Sequence, residues 1–152
     1  MSEQEARPAE SASALVGLSF LAVAHRVRET VDRDMNAAGL SLSRAKVLRL
    51  LAERGDVHQA ELAGALGQAP RSVTQAVEAL ERLGLVTRTA DPQDRRRKTV
   101  ALTDRGRAAL TAGERAGMRS LQRLFGTLDA RELAGLDALL GRVDPGAADR
   151  TG

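Results

Sequence analysis

Four residues near the start of one amphipathic segment carry hydrogen-bonding groups suited to reading a polar surface: Arg71, Ser72, Thr74 and Gln75. They are interleaved with Val73, Ala76, Val77 and Leu80, whose three- and four-residue spacing puts them on the opposite, inward side of a helix. Arginine suits bidentate contact with guanine and glutamine with adenine, while small hydroxyls reach phosphates or a thymine methyl. Pro70 fits the first helical position, and the positive end of the helix dipole favours an anion there. A second cluster, Asp94-Arg95-Arg96-Arg97-Lys98, sets four consecutive cations in a polar connector. Like charges so placed repel unless an anion lies close, and a narrow duplex minor groove accepts arginine well. Asp94, two residues before Arg96, is expected to pair with its guanidinium and aim it. Each cluster also has a plain reading, as solvent-facing helix residues and as a salt-bridged loop.

Other chemistries find little footing in the 152 residues. The absence of cysteine removes disulfides, thiol redox sensing, cysteine nucleophiles and Cys-type zinc sites together. Only His25 and His58 are present, far apart, so no metal site or cofactor is expected. No glycine-rich loop ends in the Gly-Lys-Ser/Thr of a phosphate cradle, and no enzymatic constellation stands out. Phe20 and Phe125 are the only aromatics, too few to stack single-stranded bases. The formal charge of +3 is concentrated: Arg44 to Arg107 holds 13 Lys or Arg against 8 Asp or Glu, a local +5. A basic middle between slightly acidic ends suggests a polyanionic partner. The apolar run from Ala14 to Ala24 is 11 residues long, short of the roughly 20 needed to span a bilayer. The acidic residues Glu3, Glu5 and Glu10 before it argue against a signal peptide. The run is therefore expected as a buried helix face, in a cytoplasmic protein with no membrane contact.

The elements that must position the two clusters follow from periodicity and punctuation. Residues 1–12 are expected as a frayed tail and residues 13–38 as a long amphipathic helix, with Leu18, Leu21, Ala24, Val27, Val31 and Met35 as its stripe and Gly39 as its stop. A second helix, capped by Ser43, runs to Arg54, with Val47, Leu48, Leu50 and Leu51 inside. A short helix over 59–66 and a turn at 67–69 lead to the helix beginning at Pro70 and closed by Gly84. Residues 85–90 and 99–102 form a β-hairpin around the arginine-rich connector. Thr103 caps a fifth helix to Phe125, and Asp129 with Glu132 forms a capping box for a sixth, ending before Pro145. Residues 144–152 are expected as a second tail.

The stretch DPQDRRRKTVALTDRGR, following ALERLGLVTR, resembles the MarR (multiple-antibiotic-resistance regulator) family. The family's wing pattern, Asp-x-Arg, an apolar strand and Leu-Thr-x-x-Gly, falls on Asp94, Arg96, Leu102, Thr103 and Gly106. Its Leu-Glu-x-x-Gly-Leu-Val helix end falls on Leu80, Glu81, Gly84, Leu85 and Val86. The resemblance implies a mostly α fold with a small β-hairpin wing: a winged helix-turn-helix over 41–102, and an all-α dimerisation region from 13–38 and 103–143.

Leu15, Leu18, Phe20, Leu121, Leu124, Leu128, Leu136 and Leu140 would be shared there between two chains, and the terminal helices do carry more apolar surface than one small lobe can cover. The implied activity is transcriptional control, most simply repression, by a homodimer on a pseudo-palindromic double-stranded operator. The implied effector is a small aromatic or anionic molecule, for which His25, Arg28 and Arg49 are the candidate contacts. A non-specific nucleoid-associated winged-helix protein and a protein–protein adaptor are the alternatives.

Overall fold

The computed structural model describes the backbone of residues 6–146 and the side chains of residues 11–146. The chain runs α1(Ala6–Ala37), α2(Leu42–Arg54), β1(Val57–His58), α3(Gln59–Leu66), α4(Pro70–Arg82), β2(Val86–Ala90), β3(Lys98–Leu102), α5(Asp104–Phe125) and α6(Ala130–Val143). The expected tails at 1–5 and 147–152 lie outside the described residues. Residues 6–12, also expected as tail, belong instead to α1, with Pro8 in the first turn, where its missing N–H costs no hydrogen bond.

Helix ends follow local chemistry. Thr103 caps α5 by accepting the Gly106 amide, and Asp129 and Glu132 form the reciprocal box that starts α6. The cap of α2 is Ser41 rather than Ser43: its hydroxyl accepts the Arg44 amide at 3.3 Å, while the Ser43 hydroxyl lies 3.1 Å from it. Asp32 of α1 adds a second cap by accepting the Leu42 amide at 2.8 Å, a contact across ten residues.

The sheet holds one strand more than the expected hairpin. β1 pairs antiparallel with β3 (Val57 opposite Val100, His58 opposite Thr99), giving the order β1-β3-β2. Two residues are too few for a period-2 pattern to show in the sequence. Val86 and Val100 turn inward from the sheet onto Leu48, Leu51, Leu62, Val73, Val77 and Leu80, which form one continuous core.

Two glycines of the fifth helix extend that core toward α1. A Cβ on Gly113 would meet Leu40 at 3.1 Å, and one on Gly117 would meet the Met35 sulfur at 3.1 Å, so the absent side chains let α5 lie close. Ion pairs brace the same packing: Arg123 with Asp34 at 2.6 Å, and Arg49 of α2 with Glu114 of α5 at 2.8 Å. The Arg123 guanidinium holds the Asp34 carboxyl below the usual carboxylate range.

The Ala14–Ala24 run departs from expectation. It is not covered within the chain: Leu15, Leu18 and Leu21 are 64%, 63% and 63% exposed. Burial along α1 begins only at Val27, and α6 has no buried residue. Among the described residues, no helix is long and apolar enough to cross a membrane.

Candidate nucleic-acid interface

The N-terminal turn of α4 begins at Pro70 behind Ala69, a residue with no side chain able to cap it, so the free amides of this turn face outward. Arg71, Ser72 and Gln75 are exposed beside them. Thr74 behaves differently from its sequence neighbours. Its hydroxyl donates to the Pro70 carbonyl at 3.0 Å and accepts from the Gln59 carboxamide at 2.8 Å. Thr74 thus ties the start of α3 to the start of α4, and its one hydroxyl proton is committed inside the helix-turn-helix.

The arginine turn is built from backbone hydrogen bonds. The Asp91 amide donates to the Arg97 carbonyl and the Arg97 amide to the Asp94 carbonyl, both at 2.9 Å. Arg95 and Arg96 therefore occupy the two central positions of a tight turn, both exposed, and Lys98 already belongs to β3. Asp94 does not pair with the Arg96 guanidinium as expected. Its Oδ1 accepts the Arg96 backbone amide at 3.0 Å, a side-chain-to-backbone turn two residues long. Asp91 does the same for the Gln93 amide at 2.8 Å, and that bond holds its carboxyl below the usual range. The carboxylate thus meets Arg96 at its backbone amide and not at its guanidinium.

The two clusters share a border. Pro70 and Thr74 on one side and Arg96, Arg97 and Lys98 on the other line a single groove of about 380 Å³, floored by His58 and Gln59. The groove thus sets the wing's cations beside the start of α4, with Glu78 as the one carboxylate in its lining, while Arg71, Ser72 and Gln75 lie outside it.

Residues of the spaced motif shape this surface from behind, and Arg88, which the sequence did not single out, joins them. Glu81 grips Arg88 with both carboxylate oxygens, and Thr103 donates to the Gly84 carbonyl at 2.7 Å while its own amide donates to the Leu85 carbonyl at 3.1 Å. Gly84, with φ +73°, turns the chain out of α4 in a conformation that side-chain-bearing residues rarely adopt. The motif residues Glu81, Gly84, Thr103 and Gly106 thus hold the wing to the reading helix, a signal carried by their spacing alone.

The three candidate effector contacts separate. His25 and Arg28 both line an apolar crevice of about 750 Å³ between α1, α2, α5 and α6, joined there by Lys46. Arg49 does not reach it, because its guanidinium is held by Glu114. Of the candidate dimerisation residues, Leu15, Leu18, Phe20 and Leu121 are exposed, and Leu124, Leu128, Leu136 and Leu140 are half-buried.

Comparison with known proteins bears on this geometry. Residues 40–98 match the model of the MarR family. The uncharacterized HTH-type transcriptional regulator YdgJ of Bacillus subtilis is 30% identical over 105 residues, 69% of this chain and 64% of that protein. The chain spans 58–64% of the length of the curated relatives it matches. A MarR-family transcriptional regulator from Rhodococcus superposes with a TM-score of 0.68 at 28% identity, over 88% of this chain and 95% of that one. A mutant MarR from E. coli complexed with operator DNA gives 0.67 at 25% identity, over 86% and 94%. The likeness of fold continues through the terminal helices, and the matched segment, which holds the helix-turn-helix and the arginine turn, is a MarR-family domain.

Proposed function

We propose that this chain is a transcriptional regulator, acting as a homodimeric repressor on a roughly two-fold symmetric duplex site. The observation that carries the reading is the exposed, uncapped start of α4, bearing Arg71, Ser72 and Gln75, beside an exposed arginine turn whose Arg96 and Arg97 share a groove with Pro70 and Thr74. In this reading Arg71, Ser72 and Gln75 meet base edges in a major groove. Arg95, Arg96 and Arg97 reach the adjacent minor groove and its phosphates. Thr74 and Asp94 support the two from behind.

The homodimer rests on the uncovered leucines of α1 and on an α6 without a buried residue. An apolar face of that size on terminal helices calls for a partner, and a second copy offers the matching surface. Two reading helices in such a dimer would enter successive major grooves about 34 Å apart. Such a protein works in the cytoplasm, where the chromosome is. The large crevice favours a further element of the reading, release by an effector. Phe20, Val27, Phe125 and Leu140 offer it apolar walls, while Arg28 and Lys46 offer positive charge and His25 a hydrogen bond to a small aromatic anion, beside the carboxylates Glu29 and Asp32.

Footprinting on the gene's own promoter region, combined with size measurement, tests the reading. A protected, nearly palindromic site and a dimer are expected. A monomer with equal affinity for all duplexes would favour a non-specific nucleoid-associated protein, and no binding at low salt would favour an adaptor. Titration with benzoate or naphthoate, read by thermal shift, tests the crevice.

A further inference from the structure

β2 alternates between inward and outward positions, and Val86, Arg88 and Ala90 are the inward ones. Val86 is buried in the core and Ala90 is exposed, so Arg88 is the last residue of the strand held against the body before the wing projects. An arginine here, with a side chain only 15% exposed, needs a built partner. α4 supplies it from its last two turns. Glu81 Oε1 accepts from one terminal Arg88 nitrogen at 3.0 Å, and Oε2 accepts from Nε at 3.2 Å and from the Arg88 backbone amide at 3.1 Å. Glu78 approaches the other terminal nitrogen at 3.5 Å. The pair is thus bidentate, reinforced through the main chain and completed by a second carboxylate. Such a fork fixes an angle as well as a distance.

We propose that Glu81 is a positioning residue for DNA recognition: gripping Arg88, it sets the angle between the reading helix and the wing, so that Arg96 reaches the duplex only while the clamp is closed. This rests on the DNA-binding reading above. Glu81 itself does not line the groove beside the wing, although its partner Arg88 and Glu78 do. The mutual attraction holds its carboxyl below, and the Arg88 guanidinium above, their usual ranges, so both stay charged at neutral pH.

The charge arithmetic makes the proposal testable. Removing Glu81 adds one positive charge near a polyanion, so electrostatics alone would tighten binding. An aiming role requires the opposite. The experiment measures affinity for one selected operator duplex with the full chain, Glu81→Ala, Arg96→Ala and the double variant, with a melting temperature for each. Expected are an Arg96→Ala loss of about tenfold in the parent and a Glu81→Ala loss of similar size. The further loss on adding Arg96→Ala to the Glu81 variant should be under about threefold, because the two act as one unit. Arg88→Lys, which keeps the charge but not the fork, should reproduce the Glu81 loss even if Glu81→Ala folds poorly. A merely structural clamp would lower the melting temperature and leave the full tenfold Arg96 effect in place. That result, or unchanged or tighter binding by the Glu81 variant, overturns the proposal while leaving DNA binding intact. A parent protein that binds no duplex, or is indifferent to Arg96→Ala, overturns the underlying reading and this proposal with it.

Discussion

Gly106 lies so close to Leu85 that a Cβ built on it would stand 2.1 Å from the Leu85 carbonyl oxygen and 2.7 Å from Leu102 Cδ1. The first turn of α5 is thereby pressed against the chain leaving α4, at the root of the wing. Leu102 Cδ1 ends a side chain that could swing aside, but the Leu85 carbonyl is backbone and could not. Gly106→Ala should therefore cost about 3 kcal/mol, the upper end of the overpacking range. Gly64→Ala, in α3 where a Cβ meets nothing within 4 Å, should instead stabilise by about 0.5–1 kcal/mol. Urea titration of both variants checks the pair.

Asp94 acts on Arg96 through a backbone amide, so the chemistry required is an acceptor and not a charge. Asp94→Asn should retain specific binding, because asparagine makes the same turn. Asp94→Ala should weaken binding or lose specificity although it makes the protein more basic. Arg96→Ala should weaken binding far more than Lys98→Ala, which removes the same charge from a strand position. Titrations on one operator at two salt concentrations separate these outcomes, and tighter, equally specific binding by Asp94→Ala would refute the orienting role.

In the proposed reading, the start of α4 divides into residues that read and a residue that braces. Arg71→Ala and Gln75→Ala should each cost about 1–3 kcal/mol on the preferred site and relax base choice there. Thr74→Val removes the partner of Gln59 and should instead cost about 1 kcal/mol of folding stability. The ratio of specific to random binding should stay unchanged for Thr74→Val and fall for the other two.

Leu18 stands on the uncovered part of α1. Leu18→Glu leaves the core from Val31 to Leu110 untouched, so the chain should keep its helical circular dichroism. A charge in a shared apolar face should nevertheless give a monomer in sedimentation and abolish operator binding. An unaltered dimer would move the interface elsewhere.

Acid should weaken the α1–α5 brace. Asp34 has a folded-state pKa below its unfolded one, through its bond to Arg123. Its contribution to stability is therefore complete above the usual carboxylate range and is lost as pH falls through and below it. Asp34→Asn should be less stable than the parent at pH 7, with the difference shrinking toward pH 3. Urea midpoints at the two pH values report it, and a constant difference would argue against the linkage.

The elements themselves were legible because their signals are local. The 3.6-residue stripe of α4, the Thr103 cap, the capping box at Asp129 and the acidic-then-basic turn at Asp94 all lie within a few residues of sequence. A helix or turn needs no more than that to form. The two residues of β1 left no such signal, and the cap of α2, expected at Ser43, is Ser41. Only Asp32, arriving from α1 to bind the Leu42 amide, accompanies the choice of Ser41.

What the sequence by itself determined, then, is the order and kind of the helices, the wing, and the placing of exposed arginines at its turn. Tertiary structure alone decided which polar side chains remain free to meet a partner. Thr74 and Arg71 look alike as neighbours on one helix face, until Gln59, 15 residues away, occupies the hydroxyl of the first. Arg49 and Arg28 look alike as cations on early helices, until Glu114, 65 residues away, holds one of them. Whether a group is spent depends on the path of a distant segment. That path is set by burial of the Val and Leu core, which constrains volume and periodicity but does not specify which polar groups meet at its edge.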